Sequence, residues 1–313
     1  MKNNFILIVA GEPKSIFLEV LFKALKKKKY RCPIILICSK KILIKHMLQN
    51  NFKKKIRILK LNQLEQYRLD NEVINLIDIK LKYNNFNKYL NDSFKTAFEL
   101  IKKKISFKLM NGPINKSSFL RKKYLGITEY ISDIFNETNT GMLIYNKKLS
   151  VVPLTTHLPL SLVAEKISKK LLMDKILLVH NFYNKFFKYN PKIALTGLNP
   201  HCESILNYNE DNKIISPIIN VIIKKGINVK GPFAADTIFL KEVRKKYDVI
   251  IGMYHDQVLS PMKALFEFNA INITMGLPFL RVTPDHGPNE KMVGKNKSNP
   301  TSVINALYFL DNF

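Results

Sequence analysis

Three of the six histidines in the chain stand at or just past the ends of apolar runs. His157 follows residues 149–154, His201 follows 193–198 and His255 follows 249–253. Short apolar runs of this kind read as buried strands. In an α/β protein the carboxyl ends of such strands open onto the crevice where chemistry is done. Three imidazoles delivered from separate strands form a divalent-metal constellation, with positions left open for substrate oxygens. Taken singly, each would read as a capped or core histidine. The equivalence of the three junctions points to a metal.

A second group, Lys263, Asn272 and Arg281, reads as a phosphate clamp of two cations and an amide donor. In a chain this basic, surface Lys and Arg are ordinary. Arg281 differs because it follows Leu277-Pro278-Phe279-Leu280 in what reads as an apolar turn, where a solvated lysine would cost less. His286-Gly287 followed by Gly294-Lys295 resembles a nucleotide-holding loop. No Gly-x-Gly-x-x-Gly follows the first apolar run, so the ordinary dinucleotide fingerprint is absent.

The elements that would carry these residues alternate. Residues 5–9 read as a strand, 16–25 as a helix, 33–38 as a strand and 40–48 as a helix, the order of a mainly parallel sheet. Residues 50–95 read as peripheral, with weak strands at 56–61 and 73–81, and a helix follows at 91–104. Residues 142–145 and 149–153 read as a hairpin. Two separate helices are expected at 162–171 and 175–187, a helix at 214–224, a loop at 231–237 and a final helix at 299–310. No internal repeat or long linker appears.

The 313 residues suffice for one large or two medium domains. A net charge of +27 raises the question of nucleic acid, but the basic residues are mostly lysines accompanied by many Asn and Ile, a bias that AT-rich coding produces. The expectation is no nucleic-acid partner, and a positive field that draws in phosphorylated metabolites. No uncharged apolar run of about 18 residues is present, so no membrane span is expected. The apolar residues 5–10 lead into Gly11-Glu12-Pro13 and read as a first strand, not a signal peptide. Cys32, Cys38 and Cys202 show no metal spacing and no disulfide framework, so the expected location is a reducing cytoplasm.

Several segments, read in order, resemble the 4-hydroxythreonine-4-phosphate dehydrogenase family of pyridoxal-phosphate biosynthesis. They are Thr155-Thr156-His157-Leu158-Pro159, Gly197-Leu198-Asn199-Pro200-His201, Ala235-Asp236-Thr237, Met253-Tyr254-His255-Asp256-Gln257, the run from Asn272 through Gly276-Leu277-Pro278 to Arg281, and Asp285-His286-Gly287. Gly11-Glu12-Pro13 and Gly112-Pro113-Ile114-Asn115-Lys116 match in the N-terminal half. The resemblance spans nearly the whole chain. It implies a two-domain α/β/α architecture like that of isocitrate and isopropylmalate dehydrogenases, here divided into 1–118 plus 265–313 and 119–264. It implies a homodimer with a shared active site, and metal ligation by His157, His201 and His255. Lys263, Asn272, Arg281 and Thr128 would contact the phosphorylated hydroxy-amino-acid substrate, and Asp236 and Lys116 would be catalytic. His286, Gly287 and Gly294 would bind NAD, or NADP in its place, beside one divalent Zn, Mg or Co ion. The implied reaction is NAD-dependent oxidation of 4-phosphooxy-L-threonine followed by decarboxylation.

The sequence also departs from the family pattern. Lys14-Ser15-Ile16-Phe17 replaces a Gly-rich turn, Ile127 stands where a histidine is usual, and Cys202-Glu203-Ser204 replaces Ala-Gly-Glu. Val258 replaces a glycine, and Pro288-Asn289 and Asn296 replace small residues or glycine. Such changes cost stability or fit where glycine served a positive φ. They leave open a related dehydrogenase acting on another phosphorylated hydroxy acid, or a degenerate homologue that binds such a ligand without turnover.

Overall fold

The computed structural model describes residues 5–82, 85–115, 119–120, 123–124, 126–203 and 209–313. The chain divides into two compact units, Met1–Ile127 with Pro278–Phe313, and Thr128–Leu277.

In chain order the first unit contains β1 (Ile6–Val9), α1 (Phe17–Lys27), β2 (Ile34–Cys38), α2 (Lys40–Gln49), β3 (Ile56–Ile58), β4 (Ile74–Asp78), α3 (Phe86–Lys102) and β5 (Lys108–Asn111). The second unit follows with α4 (Ile127–Ile134), β6 (Gly141–Tyr145), β7 (Ser150–Thr155), α5 (Lys169–Phe186), β8 (Ile193–Thr196), α6 (Ser216–Lys224), β9 (Val229–Phe233), β10 (Val249–Tyr254), α7 (His255–Phe266) and β11 (Ile271–Met275). The chain then returns to the first unit with β12 (Leu280–Pro284) and α8 (Thr301–Asn312).

The first unit's strands run β3-β4-β2-β1-β5-β12, all parallel. The central strand β1, Ile-Leu-Ile-Val, is buried throughout, as a parallel strand covered on both faces must be. Its turn is zipped to the one after β5. Gly112 N–H donates to Val9 O at 2.9 Å and Glu12 N–H to Pro113 O at 2.8 Å. A Cβ on Gly112 would collide with the Ala10 carbonyl, so only glycine permits that approach. Helix α3 begins at Asn85, whose side chain accepts from the Lys88 N–H and satisfies one of the unpaired donors of the first turn.

The second unit's strands run β11-β6-β7-β10-β8-β9. The β6–β7 hairpin and the β11–β6 pair are antiparallel, and β7, β10, β8 and β9 are parallel.

Three details differ from the expectations. Arg281 lies in no turn but within β12, opposite Leu109 of β5. The two helices expected around 162–187 are largely one, α5. Lys175, which reads as the start of a second helix, instead turns inward and donates to Thr140 O at 3.0 Å. The expected loop 231–237 begins as strand β9, whose Gly-Pro pair is tolerated because β9 is the outermost strand of its unit, where a missing N–H costs no ladder bond. The compact units break at 127/128 and 277/278, and β11, which pairs with β6, lies in the second.

Candidate active site

Strands β7, β10 and β8 are neighbours and parallel, so their carboxyl ends share one edge of the sheet. His157 lies two residues past the end of β7, His255 is the first residue of α7 directly after β10, and His201 sits in a short turn, Pro200–Cys202, after β8. Neighbouring strands lie about 4.8 Å apart, and the rings of His157 and His255 come to 6.1 Å between centroids. One chain brings these two together. Among the described residues no group of three or more His, Cys, Asp or Glu side chains is gathered as a metal ligand set.

Each imidazole of the pair faces a carboxylate. His255 Nδ1 lies 2.7 Å from Asp256 Oδ1, and His157 Nδ1 lies 3.9 Å from Glu129 Oε1. The Asp256 contact is a hydrogen bond, and a carboxylate so placed fixes ring orientation and raises the basicity of the opposite nitrogen, as supporting groups do around ligating histidines; Glu129 acts on His157 only through charge at that distance. His157 and His201 also adopt left-handed backbone, with φ of 50° and 57°, and Cys202 follows at 61°. Such conformations are costly outside glycine and concentrate at functional sites. Cys202 stands where the family has alanine, and Glu203, where the family has glycine, is extended at φ of −129°.

Two side chains that sequence reasoning passed over hold these loops in place. Asp211 is fully buried. Its carboxylate accepts from the Leu198 N–H at 2.8 Å, the Asn199 N–H at 3.1 Å and the Asn199 Nδ2 at 2.8 Å, pinning the segment that leads to His201. Gln257 joins the ends of β8 and β10. Its Oε1 accepts from Thr196 Oγ1 and the Met253 N–H, both at 2.7 Å, and its Nε2 donates to Gly197 O at 2.8 Å. Gln257 stands in the Tyr-His-Asp-Gln run and was visible there as a polar group at a strand end. Asp211 carried no such signal, since its partners lie twelve or more residues away.

The remaining residues are distributed as follows. Thr128 is the second residue of α4, beside Glu129, and its carbonyl accepts from Ser132 Oγ at 2.8 Å. Lys263 is exposed on α7. Asn272 lies on β11 with Nδ2 at 3.2 Å from Met142 Sδ. Asp236 is exposed in the turn after β9. Burial raises the Cys202 thiol pKa, with Asp211 next in effect and Asp236 among the further contributors. In the first unit, Arg281 is only 1% exposed and its Nε donates to Asn111 Oδ1 at 2.9 Å. His286 packs its ring 6.2 Å from that of Phe17, and burial lowers its pKa. Its Nδ1 lies 3.0 Å from Gly287 O, while its buried Nε2 has no hydrogen-bond partner among the described residues. Gly294 has φ of 80°, and Asn289 and Asn296 also take left-handed backbone, at 48° and 53°. Asparagine bears that conformation at less cost than most residues. Lys116 lies outside the described residues.

Two α/β units, with histidines at the carboxyl ends of parallel strands, define a dehydrogenase-like α/β enzyme architecture. The chain belongs to the family of pyridoxal phosphate biosynthetic protein PdxA, whose model matches residues 30–310. It is 34% identical over 319 residues to a 4-hydroxythreonine-4-phosphate dehydrogenase of Sulfurihydrogenibium sp. (strain YO3AOP1), covering 96% of this chain and 95% of that one. It is 30% identical to the protein of the same name from Aquifex aeolicus (strain VF5), over 99% and 98% of the two chains. The crystal structure of 4-hydroxythreonine-4-phosphate dehydrogenase from Klebsiella pneumoniae superimposes with a TM-score of 0.84 at 25% identity, covering 98% of each chain.

Proposed function

We propose that the chain oxidises the C3 hydroxyl of 4-phosphooxy-L-threonine with NAD as acceptor. The product, 2-amino-3-oxo-4-phosphooxybutanoate, then loses CO₂ to give 3-amino-2-oxopropyl phosphate, a step of pyridoxal 5'-phosphate synthesis. The observation that carries this reading is the delivery of His157 and His255 to one place by adjacent parallel strands, in a chain of this family.

The residues fit a divalent cation, because the two imidazoles are paired, His255 Nδ1 is held by the Asp256 carboxylate and Glu129 lies 3.9 Å from His157 Nδ1. His157 and His255 of one chain would hold the ion together with His201 from the partner of a homodimer. When bound, Zn, Mg or Co would supply Lewis-acid polarisation of the substrate hydroxyl oxygen. The buried, unpartnered His286 Nε2 and the left-handed Gly294 fit a nucleotide-holding loop with Gly287, and the nicotinamide of NAD or NADP would supply the hydride acceptor.

The chain's own groups do the rest. Lys263, Asn272 and Arg281 bind the substrate phosphate and Thr128 contacts the substrate. Binding energy gained at the phosphate, remote from C3, orients the hydroxyl. Asp236 and Lys116 handle the proton of that hydroxyl. Three free cysteines, two of them buried, suit a reducing cytoplasm. The test is NADH formation from 4-phosphooxy-L-threonine by the metal-stripped protein with and without added divalent cation. Absence of NADH under both conditions sinks the reading.

One observation favours a second substrate. Ile127, where the family has a histidine, begins α4 next to Thr128, and isoleucine donates no hydrogen bond. A lost bond to a charged group costs roughly 1.5–3 kcal/mol, about one to two orders of magnitude in kcat/KM. Ile127→His is expected to raise kcat/KM for 4-phosphooxy-L-threonine by about that factor. No gain, together with preference of the unaltered protein for a threonate or erythronate phosphate, would move the assignment to that substrate.

A further inference from the structure

At the amino ends of β2 and β5 the first unit buries a lysine against a cysteine. Lys108 is 0% exposed, and Cys32 6%. Lys108 Nζ points at Cys32 Sγ from 3.3 Å, and the Phe107 ring lies 5.4 Å from the same nitrogen. The Cys32 N–H donates to Asp311 Oδ1 at 2.7 Å and its thiol donates weakly to Asp311 O at 3.7 Å. Asp311 is itself occupied by Arg31, whose Nε lies 3.6 Å from Oδ2. A fully buried lysine nitrogen set against sulfur is an uncommon arrangement, since such a group ordinarily finds a carboxylate. Nothing in the proposed reaction uses it. A cavity of about 400 Å³ is lined by Arg31, Cys32, Pro33, Asp311, Asn312 and Phe313.

We propose that Cys32 and Lys108 are a peroxide-modified pair that closes to a nitrogen–sulfur cross-link. In the first step hydrogen peroxide oxidises the Cys32 thiol to a sulfenic acid: the O–O bond breaks, one oxygen joins sulfur and the other leaves as water. In the second, the lone pair of the Lys108 amine, once the proton has left it, forms the N–S bond as the S–O bond breaks. The departing hydroxide takes a proton from nitrogen and leaves as a second water. The net change is loss of two hydrogens from the protein. Sulfenic acids condense with nitrogen in this way, and a 3.3 Å approach lies within the 3–3.5 Å range in which a held nucleophile outcompetes solvent species. An added thiol reverses the reaction by attack at sulfur, freeing the amine.

The other two cysteines act as internal comparisons. Cys38 is fully buried against Ser39 O. Cys202, half-buried in the turn after β8, should proceed to sulfinic and sulfonic acid. The cross-link would also join the start of β2 to β5 across β1, which lies between them.

The test is peptide mapping by mass spectrometry of the full chain after hydrogen peroxide treatment, digested without reductant. The expected product is a linked pair containing Cys32 and Lys108, two hydrogens lighter than the separate peptides. It should be lost on dithiothreitol treatment, and absent from Lys108→Met and from chain oxidised in guanidinium. A rise in melting temperature on oxidation, reversed by reductant, should accompany it. Cys32 found as sulfinic or sulfonic acid beside unmodified Lys108 would overturn the proposal. So would unmodified Cys32 at a peroxide dose that oxidises Cys202.

Discussion

At the scale of single residues, Arg281 is the most informative side chain. A guanidinium is never neutral in a protein, and burying one is costly unless partners surround it. At 1% exposure with Nε donating to Asn111, it is held in position before any ligand arrives. If it binds the substrate phosphate, Arg281→Ala removes a desolvated charge contact worth on the order of 2–5 kcal/mol. The expected result is a large rise in KM for the phosphorylated substrate, with metal content per chain unchanged by elemental analysis. An unchanged KM, in a variant that melts at a lower temperature, would assign Arg281 to bracing β12 against β5 instead. The strained backbone at His157, His201 and Cys202 belongs to the same scale, because the residue types that would relax it are absent.

At the scale of elements, the loop after β8 depends on one buried carboxylate. Asp211→Ala would strand the N–H groups of Leu198 and Asn199. Losing charge-assisted bonds of this kind costs on the order of 3 kcal/mol. Urea unfolding should show that loss. Equilibrium dialysis should show weaker divalent-cation binding, because His201 would no longer be presented, and intact metal affinity would mean that the loop is held by other contacts. This scale also separates what was legible in the sequence. The strand-to-histidine junctions were, because an apolar run that stops at polar residues is a local pattern. The neighbouring of β7 and β10, which unites His157 with His255, was not, since parallel pairing joins segments about a hundred residues apart and leaves no local trace. Strand β9 was hidden by its Gly-Pro pair, and the single helix α5 by Lys175, whose charge reads as surface until its partner Thr140 O is seen. Arg281 read as part of a turn because the segment between β11 and β12 is only Gly276-Leu277-Pro278-Phe279.

At the scale of the whole molecule, stability should depend on pH through two buried histidines. Burial lowers the pKa of His46, which lies 3.3 Å from Pro13 O, and of His286. Above the ordinary histidine value of about 6.5, both are neutral in folded and unfolded chains and contribute no slope. As pH falls below it, the unfolded chain takes up protons that the folded chain refuses, so stability declines until the lowered folded values are reached. Glu12 acts in the opposite sense at lower pH, because burial raises its pKa. The comparison must therefore isolate the histidines. Denaturant midpoints between pH 7.5 and 5.5 should fall less steeply in His46→Phe, His286→Phe than in the unaltered chain. Equal slopes would show that neither histidine is kept neutral by the fold.

The assembly gives the last test at that scale. His157 and His255 come together within one chain. On the proposed reading the third ligand, His201, comes from the other subunit of a twofold dimer. In a heterodimer of His157→Ala with His201→Ala subunits, one site carries both defects. The other combines an intact His157–His255 pair with an intact His201, so activity should return. In a heterodimer of His157→Ala with His255→Ala subunits each site keeps one defect, and activity should stay lost. Co-expression with two affinity tags yields the mixed dimers, and NADH formation reads them. Rescue in the second pairing but not the first would place His157 and His255 in different subunits' sites and overturn the arrangement argued from the β7–β10 pair.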